Sequence, residues 1–282
     1  MSTQQGSTTN ADLSTAPRSE GFSWLRVKAI FLRLMWAALR TPHRLFDLTV
    51  WPLVDVLLFG SLGVFVAGGA AGDQAFGYLL SGIVLWHVVY QSQISGSTAF
   101  LEETWTRNLL NLLVTPLRES EYAVGVALMS LTKLVLGVGV VALTALLFFA
   151  FDITDLGVGL IPVVAVLLMV GWVISIFVVG LVLRFGNGAE ALAWGIMFAI
   201  MPLSGVFYPA SALPGFLQPV ALALPTTHAF SAARDLFDKK GINWGEIGVS
   251  AVTAVILAGI AVWFLAKMLQ IFRSRGYITR YS

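Results

Sequence analysis

Apolar residues run along this chain in long blocks that charge seldom interrupts. Charge-free stretches cover residues 56–72, 74–101, 134–151, 156–183, 191–233 and 247–266. A helix needs about 20 apolar residues to cross a bilayer core. The pattern predicts an all-α polytopic membrane protein with six transmembrane helices, over about 48–68, 76–97, 121–150, 157–183, 189–208 and 246–271. Residues 22–275 form one transmembrane domain in this reading. Residues 1–21 are polar and rich in Ser, Thr and Gln, and read as a disordered cytoplasmic tail rather than a signal peptide. Residues 276–282 read as a short cytoplasmic C-terminal tail.

Three stretches depart from the simple span pattern. In residues 22–45, Leu25, Ala29, Leu32, Trp36 and Leu39 recur at helical spacing, and Arg26, Arg33 and Arg40 recur every seven residues beside them. Such an amphipathic helix lies in the membrane interface, its basic side toward anionic headgroups. In residues 100–117, Leu101, Trp105, Leu109 and Leu112 share one helical face. Glu103 and Arg107 form an i, i+4 pair, with Asn108 and Asn111 nearby. Taken alone, this segment fits a surface helix that merely connects two spans; a docking helix for a cytoplasmic partner is the alternative. The third stretch is 202–225. The charge-free run 191–233 is too long for one span and too short for two, and Pro202, Pro209, Pro214, Pro219 and Pro225 break it. Short re-entrant helices are expected after the fifth span, because irregular backbone at that depth must pack on protein or line water.

Composition agrees. Hydrophobic residues make up 57% of the 282 and charged residues only 11%, where a soluble domain carries about a quarter. That excludes a soluble enzyme, a nucleic-acid-binding module and a disordered chain. With no cysteine, the chain has no disulfide framework and no thiolate metal site. The distribution of basic residues orients the spans. With both termini in the cytoplasm, thirteen of the seventeen Lys and Arg fall inside, and only Arg234, Lys239 and Lys240 fall outside.

Nucleotide and catalytic motifs are absent. No lysine follows a glycine, as a phosphate-cradling loop requires, and no His-Glu pair or G-x-S-x-G turn occurs. Few ionisable groups lie at membrane depth. Asp55 and Lys133 can pair, a structural role favoured over one in a substrate pathway, and a neutral His87 hydrogen-bonded between helices is favoured over a metal ligand. A secondary transporter driven by an ion gradient would want midplane acidic or histidine relays and inverted repeats, and neither is evident.

The segment Leu203-Ser-Gly-Val-Phe-Tyr-Pro209, followed by Leu213-Pro214, Leu224-Pro225-Thr226-Thr227-His228 and Arg234, resembles a pattern of the permease subunits of ABC-2 type exporters. Leu224 stands where that family commonly has Asn. The basic helix before the first span and the stretch Phe100–Pro116 resemble the family more weakly.

The resemblance implies an ABC-2 type transmembrane domain over 22–275, pairing as a homodimer or heterodimer in a bacterial plasma membrane. It implies separate ABC ATPase subunits that hold ATP and Mg, so that this chain is not itself an enzyme and carries no cofactor or metal. Glu102, Glu103, Arg107, Asn108 and Asn111 would form the coupling helix to the ATPase. Ser204, Gly205, Phe207, Tyr208, Pro209, Pro214 and Pro225 would form the outer gate, and Arg26, Arg33 and Arg40 the interfacial helix. The expected substrate is an amphipathic lipid, glycan or drug. Trp86, Tyr90, Phe207 and Tyr208 would line its passage or serve as packing and interfacial anchors.

Overall fold

The computed structural model describes residues 21–68, 72–105, 115, 117–186 and 190–274, and every regular element among them is helical. In chain order these are α1 (Trp24–Leu39), α2 (Pro42–Ala67), α3 (Gly72–Trp105) and α4 (Glu119–Phe149). A 3-10 helix at Ile153–Gly159 leads into α5 (Leu160–Phe185), followed by α6 (Glu190–Leu203) and a 3-10 turn at Ala210–Ala212. The chain ends with α7 (Gln218–Ala223), α8 (Pro225–Phe237) and α9 (Trp244–Ser274). Among the described residues, Leu48–Ala67, Ser120–Phe149, Ile153–Phe185 and Trp244–Ile271 are long and apolar enough to cross a membrane.

The polar helix lies at the centre. α3 packs against α2, α4, α5 and α8. It buries Ser81, His87, Gln91, Ser92, Gln93, Ser95 and Ser97. Several hydroxyls bond to a carbonyl one turn earlier, as Ser97 does to Gln93 (2.9 Å) and Thr98 to Ile94 (2.7 Å), which satisfies them without a partner helix. The helix does not stop near residue 97, where its polarity rises. It continues to Trp105, so the second expected span and the start of the 100–117 segment are one 34-residue rod.

Small residues let α3 and α5 approach. A Cβ on Gly96 would lie 2.4 Å from the Ser175 hydroxyl, and one on Gly171 would lie 2.5 Å from the Ser92 Cβ. Close backbone approach replaces the hydrophobic driving force that lipid cannot supply. α6 is shorter than the fifth span expected from hydropathy. It ends at Leu203 after 14 residues, about 21 Å of helix, because Pro202 and the left-handed Gly205 (φ 63°) oppose continuation.

α1 packs on α4 through Val27, Ile30 and Leu34, forming a small core with Met129 separate from the main one. The stripe Leu25, Leu32, Trp36 and Leu39 points the other way and is exposed, Leu25 by 78%. An amphipathic helix thus presents one apolar side to protein and a second outward.

Candidate functional site

At the α8 end of the bundle, the motif residues form one hydrogen-bonded assembly. Ser204 is fully buried; its hydroxyl bonds to the Ile200 carbonyl (2.8 Å) and pairs with the Thr226 hydroxyl (2.7 Å). Gly205 turns the chain, and its carbonyl accepts from the Arg234 guanidinium on α8. Burial pushes that guanidinium below its usual range, so the bond is made with few competing waters. Phe207 stacks on Phe59 of α2 at 4.4 Å, and the Tyr208 hydroxyl donates to the Pro202 carbonyl (2.9 Å). Pro209 precedes the 3-10 turn, and the Pro214 carbonyl accepts from Leu217 N (2.8 Å). Pro225 occupies the first turn of α8, where its missing N–H costs nothing. Its carbonyl accepts from Ser250 of α9 (2.6 Å).

Two further contacts close this end. His228 holds α8 to α7 and α9: Nε2 lies 2.9 Å from the Leu222 carbonyl and Nδ1 lies 2.7 Å from Glu246 Oε2. Asp238 accepts from Lys240 (2.7 Å), Tyr78 (2.7 Å) and Gln74 (3.0 Å), tying the start of α3 to the end of α8. The Lys240 and Tyr78 bonds hold the Asp238 carboxyl at about 2. The sequence pattern did not point to Glu246 or Asp238.

At the opposite end, Arg26 does not simply face headgroups. Its guanidinium donates to Glu121 through Nε (2.7 Å) and Nη2 (2.6 Å). Glu121 also accepts from the backbone N–H groups of Ser23 (2.7 Å) and Arg118 (3.1 Å). The carboxylate raises the Arg26 pKa further. A local signal existed, an acidic residue in the first turn of α4, where the helix dipole favours negative charge. Arg40 lies over the Trp36 ring at 5.8 Å, and Arg33 is half-buried on α1. Glu102 and Glu103 stand on the last turn of α3, while Arg107, Asn108 and Asn111 lie outside the described residues.

Within the bundle, the expected Asp55–Lys133 pair is not formed. A Cβ on Gly60 would meet the Phe149 ring, and one on Gly137 would lie 3.3 Å from Leu48. These contacts run α2 parallel to α4 with residue 55 level with residue 144. Lys133 is eleven residues away, about 16 Å along the helix. Asp55 instead approaches His87 of α3, with Oδ2 3.5 Å from Nε2. His87 Nδ1 bonds within its own helix to the Ile83 carbonyl (2.9 Å). Among the described residues, no group of three or more His, Cys, Asp or Glu converges as a metal site would require.

The model of the family described as ABC-2 type transporter matches residues 26–237, most of the chain, including the motif from Ser204 to Arg234. The daunorubicin resistance ABC transporter permease protein DrrB1 of Streptomyces coeruleorubidus is 25% identical over 251 residues, covering 86% of this chain and 84% of that protein. Apolar helices, a central buried polar helix and the matched motif agree: the chain belongs to the ABC-2 type transporter family.

Proposed function

We propose that this chain is the membrane-spanning permease of an ABC exporter for amphipathic, drug-like molecules, working as a dimer with separate ATPase subunits. The observation that carries this reading is the family match across 26–237. The drug-resistance name of the DrrB1 relative supports the substrate class. In this reading α2, α3, α4, α5, α6 and α9 are the six spans, and both termini are cytoplasmic. ATP and Mg belong to the partner subunit. α7 and α8 re-enter the outer leaflet as a gate.

α3 suggests how the two ends communicate. One unbroken helix carries Glu102 and Glu103 at its far turn and Tyr78, bonded to Asp238, near its start. A push on the cytoplasmic end reaches the gate along a rigid rod rather than through a flexible loop. Coupling requires that the ATP-bound and ATP-free states contact this rod differently.

Inside-out vesicles containing this chain and its ATPase provide the test. ATP-dependent uptake of daunorubicin, abolished when the ATPase is omitted, is the expected result. Uptake driven by an ion gradient without the ATPase would overturn the reading.

A further inference from the structure

α5 and α9 lie side by side, and each carries a basic residue near its end. A Cβ on Gly159 would lie 2.9 Å from Ile242, just before the two helices begin, and one on Gly180 would lie 2.7 Å from the Phe264 ring. Phe177 packs on that same ring, with centroids 4.8 Å apart. The two helices are therefore parallel and in one register. Arg184 stands one turn beyond Gly180, on the face turned to α9, and Lys267 stands one turn beyond Phe264, on the face turned to α5. Those steps are about 6 Å and about 4.5 Å along the axes. The two cations thus leave their helices at one level, from facing sides of the seam, and both are exposed.

Like charges that share a seam repel, and an anion held by both relieves the repulsion. Among the described residues, neither cation enters an ion pair. Each lies instead over an aromatic ring of its own helix, Arg184 over Phe185 at 5.9 Å and Lys267 over Trp263 at 5.2 Å. Both rings are exposed, Trp263 by 62%. From Lys267 back along α9, Trp263, Ile260, Ile256 and Val252 follow at helical spacing, and all four are exposed. The order is cation, aromatic ring, apolar stripe. A phospholipid presents the matching order of phosphate, interfacial region and acyl chain. α5 and α9 are each long and apolar enough to cross a membrane, so this order runs from the membrane surface inward.

We propose that Arg184 and Lys267 together hold the phosphate of an anionic phospholipid, whose acyl chain lies along the exposed stripe of α9. The planar fork of Arg184 suits two phosphate oxygens, and the Lys267 ammonium adds a point charge beside it. A zwitterionic lipid brings its own cation next to its phosphate and so gains less from the pair. The bound lipid bridges α5 and α9 as a resident neighbour, not as cargo. The inference needs these two helices to cross the membrane and takes nothing from the exporter reading.

Native mass spectrometry of the purified full chain in detergent, titrated with phosphatidylglycerol or with phosphatidylcholine, tests the site. The wild type should retain phosphatidylglycerol more tightly than phosphatidylcholine. Arg184→Gln and Lys267→Gln should each weaken the tightest phosphatidylglycerol binding by about fivefold, and the double variant by about thirtyfold. Phosphatidylcholine binding should not change in any of them. Arg184→Lys, which keeps the charge, should retain most of the preference. If the double variant does not fold, as judged by helical circular dichroism, the two single variants decide. Unchanged phosphatidylglycerol affinity in the folded double variant would overturn the proposal. So would a wild-type chain that retains both lipids equally. Displacement of the lipid by millimolar inorganic phosphate would reveal a site for free anions and overturn the assignment to a lipid.

Discussion

The Arg234 guanidinium donates to the main-chain carbonyl of Gly205, 29 residues earlier in the chain. This bond fixes the turn after α6 to α8, with the Ser204–Thr226 hydroxyl pair beside it. Arg234→Gln removes a charged donor from a buried carbonyl and should cost about 1.5–3 kcal/mol. Arg234→Lys should recover only part, because a single ammonium cannot reproduce the planar fork. Thermal unfolding in detergent measures both variants. An unchanged melting temperature for Arg234→Gln would show that the turn stands without this bond.

Gly82 of α3 lies against the same turn. A Cβ there would sit 2.4 Å from the Val206 carbonyl oxygen. Gly82→Ala should therefore destabilise the protein by about 1–3 kcal/mol through overpacking. Gly139→Ala, which meets nothing within 4 Å, serves as the control and should leave the melt unchanged or slightly raised.

Glu121 gathers Arg26, Ser23 and Arg118 at the start of α4. Glu121→Gln keeps the shape but removes the charge that Arg26 requires. Faster tryptic cleavage within α1 and a lower melting temperature are expected. Arg26→Gln should produce the same change, and the double variant should add little to either. Full additivity would mean that the two side chains act independently.

The Asp238 carboxyl is held at about 2, below its ordinary 3.8, by its bonds to Lys240 and Tyr78. A depressed carboxyl stabilises the fold above its unfolded pKa and loses that contribution as pH falls through the folded one. The tie between α3 and α8 is therefore complete above about pH 4 and is lost between about pH 4 and pH 2. Hydrogen exchange over residues 225–243 should accelerate across that window in the wild type. Asp238→Asn should already exchange fast at neutral pH and show no such step.

The helix breaks around Gly205 were legible because the residues that make them act locally. Pro202 and Pro225 limit a helix whatever surrounds it, and Gly205 supplies a conformation that other residues resist. The arginine spacing and apolar stripe of α1 were legible as periodicities of one helix. Asp55 was not, since its partner depends on the register between α2, α3 and α4, and no period within a single helix encodes that. The length of α3 was obscured for a related reason. Ser95 and Ser97 read as the polar end of a span, yet they are buried against neighbouring helices. Glu121 left a faint local trace, while its engagement by Arg26 required knowing that α1 folds back onto α4.

The polarity of α3 also bears on how the protein is made. A segment carrying His87, Gln91 and Gln93 is a poor candidate to leave the translocon for lipid alone. Its burial between α2, α4 and α5 supplies the shelter that its composition lacks. If α3 is a span, as proposed above, it must therefore wait beside the translocation machinery until α5 has been synthesised. Nascent chains truncated before residue 160 should fail to integrate α3 and be degraded, which makes the order of synthesis part of the folding code.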